Sequence, residues 1–133
     1  MRRGPWWGLL MARRLLIVED EAGLRQMLTW ELEDLGYRVA GAGDCREALE
    51  LAATETFDAA LLDYHLPDGD GIGLMDRLRA VQPGLTVLLC SGVPTPDKVA
   101  LAIRKGAYAF VAKPIRADRL HRSFEAALSD ASA

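Results

Sequence analysis

At four positions in this chain a polar or charged group directly follows an apolar run. Val18 is followed by Glu19-Asp20-Glu21, Leu61-Leu62 by Asp63, Leu89-Cys90 by Ser91, and Val111-Ala112 by Lys113-Pro114. One polar residue after an apolar run is commonplace. A carboxylate pair, a carboxylate, a hydroxyl and a lysine, each in that place, form a set with a shared chemistry. Carboxylates brought together repel unless a cation lies between them, and an oxygen-only donor set suits a hard divalent ion such as Mg²⁺ that keeps several waters. A carboxylate can attack a phosphoryl group to give an aspartyl phosphate. The oxygens of the transferred group then need neutralising, by the metal on one side and Lys113 on another, with Ser91 donating to a third oxygen. If one fold gathers these residues, they make a phosphoryl-accepting site.

The elements that must do the gathering are legible. Five apolar runs, at Arg14–Val18, Tyr37–Ala42, Phe57–Asp63, Leu85–Cys90 and Ala107–Ala112, read as strands. The runs at 15–18, 59–62 and, apart from Thr86, 85–90 are apolar throughout, as in strands covered on both faces of a parallel sheet. Helical periodicity fills the intervals. Leu24, Met27, Leu28, Leu32 and Leu35 recur at helical spacing before Gly36, and Asp44 precedes Ala48, Leu49 and Ala52 as a cap. Ile72 to Val81 runs up to Pro83-Gly84, 97–105 closes on Gly106, and Leu120, Phe124 and Leu128 mark a last helix ending near Ser129. The pattern predicts an α/β fold: a doubly wound, five-stranded parallel sheet with five helices. In such sheets the functional crevice lies beyond the carboxyl ends of the strands, where all four polar groups fall.

Length and charge narrow the function. At 133 residues the chain is one domain, and its 50% hydrophobic content excludes disorder throughout. No apolar run reaches the ~18–20 residues of a membrane span. Residues 15–97 carry 5 basic and 16 acidic residues, whereas 98–133 carry 7 basic and 3 acidic. An acidic body with a basic last quarter does not read as a nucleic-acid binder; it fits a cation held on the acidic part and a protein partner on the basic part. Cys45 and Cys90 make neither a disulfide framework nor a CxxC pair, which points to a reducing compartment and a cytoplasmic location. The start, Met1 to Met11, has arginines and an apolar patch at Trp6-Trp7, but Arg13-Arg14 follows at once and no A-x-A site appears, so it does not read as a signal peptide. Met11 is an alternative start.

The segments Leu15-Leu-Ile-Val-Glu-Asp-Glu21, Leu61-Leu-Asp-Tyr-His-Leu-Pro-Asp-Gly-Asp-Gly71, Val87-Leu-Leu-Cys-Ser-Gly92 and Gly106-Ala-Tyr-Ala-Phe-Val-Ala-Lys-Pro114 together resemble the receiver domain of two-component response regulators over residues 13–130. The resemblance implies a (βα)5 flavodoxin-like receiver fold at 13–133 after a poorly ordered extension at 1–12. It implies Asp63 as phosphoacceptor and Glu19, Asp20, Asp63 and the backbone carbonyl of His65 as Mg²⁺ ligands. It further implies Ser91 as switch hydroxyl, Phe110 as switch aromatic, Lys113 as phosphate-binding lysine, and a cis Lys113–Pro114 bond. The implied partners are a histidine kinase or histidine phosphotransfer protein, and a downstream protein on the face of the fourth helix, fifth strand and fifth helix, with a homodimer left open. The expected behaviour is that of a phosphoacceptor supporting its own phosphotransfer and autodephosphorylation. With only Asp-Ala-Ser-Ala after Ser129, a stand-alone regulator is expected, the alternative being a receiver excised from a hybrid kinase or longer regulator. Some positions depart from the commonest pattern: Glu19-Asp20 for Asp-Asp, Phe110 without a hydroxyl, Gly92 for Ala, a proline-rich Val93-Pro-Thr-Pro96 that puts the usual fourth-helix geometry in question, and His65 as a bulky group beside the phosphoryl site.

Other motifs carry less. Asp68-Gly-Asp-Gly71 resembles the D-x-D-G nucleophile motif of haloacid-dehalogenase-type phosphatases, but Asp68 does not end an apolar strand. An EF-hand fails at Ile72 and Arg79, and Gly41-Ala-Gly43 lacks the third glycine of a dinucleotide loop. His65, His121, Cys45 and Cys90 read as a loop, a solvated helix face, a cap region and a buried strand, and Trp30 as packing.

Overall fold

The computed structural model describes residues 12–132. Strands β1 (Arg14–Val18), β2 (Arg38–Ala42), β3 (Ala59–Asp63), β4 (Thr86–Ser91) and β5 (Ala109–Ala112) form one parallel sheet in the order β2-β1-β3-β4-β5. Helices α1 (Ala22–Asp34), α2 (Cys45–Thr54), α3 (Gly71–Val81), α4 (Pro96–Arg104) and α5 (Ala117–Ser132) follow the strands in turn. The chain reverses its winding between β1 and β3, which opens the crevice at their carboxyl ends. The extension expected at 1–12 lies outside the described residues except for Ala12.

Strand periodicity divides the core between the two faces. Leu16, Val18, Ala60, Leu62, Val87 and Leu89 pack with Ala48, Ala52, Leu74, Met75, Leu78 and Ala102, so α2, α3 and α4 cover one face. Leu15, Ile17, Ala59, Leu61, Leu88 and Cys90 pack with Leu28, Leu32, Leu120, Phe124 and Leu128, so α1 and α5 cover the other. Alternate residues of one strand therefore serve different layers, and this is why the central runs have no polar face.

The helix signals hold locally. Asp44 accepts a 2.8 Å hydrogen bond from Glu47 N, Asp70 one of 2.8 Å from Gly73 N, and Thr95 one of 3.2 Å from Lys98 N. Gly36 and Gly106 take φ of +102° and +111° past α1 and α4, a conformation that a side chain disfavours. The Lys113–Pro114 bond is cis.

Several expectations are corrected. His65–Leu66 and Gly69–Asp70 form a two-residue antiparallel hairpin that the apolar pattern did not announce. α5 continues to Ser132, past Ser129. The prolines before α4 leave it a regular helix, because Pro96 occupies its first turn, where no intrahelical N–H is needed. Trp30 is 63% exposed rather than packed. His121 is half-buried, its Nδ1 2.8 Å from the Tyr37 hydroxyl.

Candidate functional site

The site is assembled where strand pairing runs on past the strand ends. Glu19 N donates to Ala42 O at 3.0 Å, Tyr64 N to Cys90 O at 2.8 Å, and Lys113 N to Ser91 O at 2.9 Å. Each bond fixes the residue that follows a strand, so Glu19, Asp63, Ser91 and Lys113 arrive on one rim. Glu19, Asp63 and Ser91 are the buried polar residues among those described, at 2%, 4% and 0% exposure. Buried polar groups persist only where partners meet them.

The partners are specific. Lys113 Nζ lies 2.7 Å from Glu19 Oε1 and 2.8 Å from Asp63 Oδ2. His65 N donates to Asp63 Oδ1 at 3.2 Å, and Glu21 N to Glu19 Oε2 at 3.1 Å. Burial pushes the Glu19 carboxyl above its ordinary range, against the pull of Lys113, and the charge on Asp63 pushes the same way. Burial would lower the Lys113 ammonium, but its bonds to Asp63 and Glu19 outweigh that and raise it. The lysine therefore stays charged.

One ammonium faces three carboxylates. Ligand oxygens of Glu19, Asp20 and Asp63 all lie within 4.8 Å of one another, with Asp20 exposed at the mouth. Glu19 Oε1 is buried and has the Lys113 ammonium as its partner, an ammonium it shares with Asp63. An all-oxygen cluster in which one ammonium meets three carboxylates fits a hard divalent cation.

On the other flank, Ser91 Oγ accepts from Val93 N at 3.0 Å. Phe110 is half-buried, its ring 6.3 Å from that of Tyr64. The site thus holds a buried carboxylate at the end of β3, an acidic set that could hold a cation, a fixed ammonium and a buried hydroxyl.

Sequence comparison bears on that geometry directly. The profile of the response regulator receiver domain matches residues 15–125. The chain belongs to the response regulator receiver family. It is 33% identical over 116 residues to the response regulator protein PilR of Pseudomonas aeruginosa, covering 87% of this chain and 26% of PilR. The chain therefore spans about a quarter of the length of that relative. A CheY-like receiver domain from Methanospirillum hungatei superposes with a TM-score of 0.85 at 27% identity, over 91% of this chain and 97% of that one. A response regulator from Burkholderia pseudomallei, solved with a phosphorylated aspartic acid and a calcium ion, superposes with a TM-score of 0.81 at 28% identity, over 90% and 71% of the two chains. Receivers of this family accept a phosphoryl group on an aspartate, pair with histidine kinases and bind Mg²⁺ at the acidic pocket.

Glu19, Asp20, Asp63 and Lys113 are brought together as expected, while Ser91 and Phe110 lie on β4 and β5, the next two strands of the sheet after that of Asp63. Asp68, the nucleophile of the phosphatase alternative, accepts from Cys45 N at 2.8 Å and Arg46 N at 3.1 Å, tying the hairpin to the start of α2. Both of its oxygens are engaged by that backbone, which does not favour a nucleophile there. The His65 ring turns to Lys98 and Tyr64 instead of the carboxylates, with Nε2 3.1 Å from Lys98 Nζ and the ring edge-on to Tyr64.

Three contributors were missed in the sequence. Arg25 of α1 donates to Glu19 O at 2.6 Å, holding the acidic turn. Gly71 comes so close to β3 that a Cβ would meet Asp63 O at 2.6 Å and Leu89 Cδ2 at 2.8 Å. Lys98 donates to Val93 O at 3.1 Å and lies 5.1 Å from the centre of the Tyr64 ring. Gly71 ends the quoted receiver segment and gave a signal; Arg25 and Lys98 sit on ordinary amphipathic helices and gave none.

Proposed function

We propose that Asp63 is the phosphoacceptor of this receiver. The placement of its carboxylate carries the assignment: at the end of β3, held by Lys113 through one oxygen and His65 N through the other, beside Glu19 and Asp20. An Asp63 oxygen attacks the phosphorus of a phosphohistidine on a histidine kinase or phosphotransfer protein. The P–O bond forms as the P–N bond breaks, and the electron pair leaves on the imidazole nitrogen, which takes up a proton. Glu19, Asp20, Asp63 and the His65 carbonyl would hold Mg²⁺, which when bound neutralises charge on the phosphoryl oxygens. Lys113 holds a second phosphoryl oxygen and Ser91 donates to a third. Water attack on the acyl phosphate, with the same groups in place, returns the carboxylate and releases phosphate.

The new charge at the rim draws Ser91 towards it and gives Phe110 room to pack inward, altering the surface of α4, β5 and α5, where a downstream protein binds. The basic last quarter of the chain supplies much of that face. A cytoplasmic location fits the two buried free thiols. The test is intact mass after incubation with Mg²⁺ and acetyl phosphate. One labile phosphoryl adduct on the parent, absent in Asp63→Asn and after prior EDTA, is expected; an undiminished adduct on Asp63→Asn refutes the assignment.

A further inference from the structure

Lys98 stands in the first turn of α4, where the helix dipole opposes a cation. No ion pair with a carboxylate compensates it among the described residues. Its ammonium is instead held by acceptors without charge-bearing oxygens: His65 Nε2 at 3.1 Å, Val93 O at 3.1 Å and the face of Tyr64. For Lys98 to donate to Nε2, the neutral imidazole carries its proton on Nδ1. These contacts join two loops that the strands deliver separately, the one after Asp63 and the one after Ser91.

The loop after Ser91 has little else to hold it. Pro94 and Pro96 have no N–H, and Val93 is 66% exposed. Both backbone groups of Val93, on either side of its Cα, are held by side chains: Val93 N donates to Ser91 Oγ at 3.0 Å and Val93 O accepts from Lys98 Nζ. A serine hydroxyl has one proton and two lone pairs. With Val93 N–H on a lone pair, the proton of this fully buried hydroxyl is left to donate. The far end of the relay is the phosphoacceptor itself, since His65 N donates to Asp63 Oδ1.

We infer that Lys98 is a positioning residue for phosphorylation: by clamping the His65 ring to the Val93 carbonyl, it restrains the Val93 backbone so that its N–H stays on Ser91, and so presents the serine hydroxyl as a donor to the phosphoryl group. The inference rests on Asp63 being the phosphoacceptor. Among the described residues the Lys98 ammonium has His65, Val93 and Tyr64 as its partners and no bond to Asp63, Glu19 or Asp20; it acts through Val93 and Ser91.

The test uses two readouts. In metal-free protein, Lys98→Met is expected to speed hydrogen exchange at the Val93 amide, with Lys98→Arg retaining most of the protection. In the presence of Mg²⁺, Lys98→Met is expected to weaken beryllofluoride binding about three- to tenfold, the worth of one hydrogen bond. Because Lys98 acts through Ser91, adding Lys98→Met to Ser91→Ala weakens binding no further than Ser91→Ala alone. Unchanged Val93 exchange in Lys98→Met, or a full additive loss on top of Ser91→Ala, overturns the inference. If Lys98→Met does not fold, Lys98→Gln is read in the same way. The exchange readout needs neither metal nor phosphoryl analogue, so failure of the clamp is distinguishable from failure of Asp63 as acceptor, which the Asp63→Asn adduct reads.

Discussion

Lys113 Nζ lies 2.8 Å from Asp63 Oδ2, although fifty residues separate them in the chain. The same ammonium reaches Glu19, so one cation serves two buried carboxylates while Asp20 adds a third at the mouth. The rim carries surplus negative charge before any ligand arrives. That surplus suits a divalent cation, and in the function proposed above the fixed ammonium is the positive group that faces the incoming phosphoryl oxygens.

Mg²⁺ should therefore stabilise the folded protein. Binding to the native state alone contributes about 1.4 kcal/mol at ten times the dissociation constant. Thermal unfolding with rising Mg²⁺ is expected to show this shift in the parent and a much smaller one in Asp20→Asn, whose fold has no other need of that exposed carboxylate.

Without metal, acidity should help the Glu19 site. The raised folded-state carboxyl binds its proton more tightly than the unfolded chain does. Its contribution to stability therefore falls as pH rises from about the ordinary glutamate value of 4.3 through the raised folded value. In EDTA, Glu19→Gln is expected to gain stability relative to the parent at neutral pH and to lose that advantage below the ordinary value. Urea unfolding at pH 4 and pH 7 measures it, and an equal difference at both contradicts it.

Gly71→Ala should be destabilising by about 1–3 kcal/mol, the range for overpacking. Its Cβ would fall 2.6 Å from the Asp63 carbonyl oxygen, which is backbone and cannot swing aside. Chemical denaturation gives the magnitude, and because the displaced peptide is that of Asp63, phosphorylation should slow as well.

The two thiols should be inert while the protein is folded. Burial pushes Cys90 up to about 12 and, helped by Asp68, Cys45 up to about 11. Almost no thiolate exists at pH 8, and the thiolate is the nucleophile. Titration with a disulfide reagent is expected to find essentially no fast-reacting thiol in native protein and two in guanidinium.

Much of this was open to a reader of the sequence. Apolar runs of strand length, caps at Asp44 and glycines at 36 and 106 reflect local chemistry, since a strand covered on both faces must be apolar and a helix end must satisfy its own backbone groups. The acidic pair, Asp63, Ser91 and Lys113 were legible because each directly follows such a run. Trp30 and His121 were misread because periodicity tells which face a residue occupies but not what, if anything, packs on it.

The sequence by itself determined the fold class and which residues reach the rim, because strand ends in a parallel sheet are fixed by where the apolar runs stop. Only the tertiary structure decided what those residues do to one another. That Lys113 pairs with both Glu19 and Asp63, that Asp68 is spent on the start of α2, and that Lys98 joins His65 to Val93 all depend on contacts between distant segments. Such contacts follow from distances of a few ångströms after packing, and no periodicity along the chain encodes them.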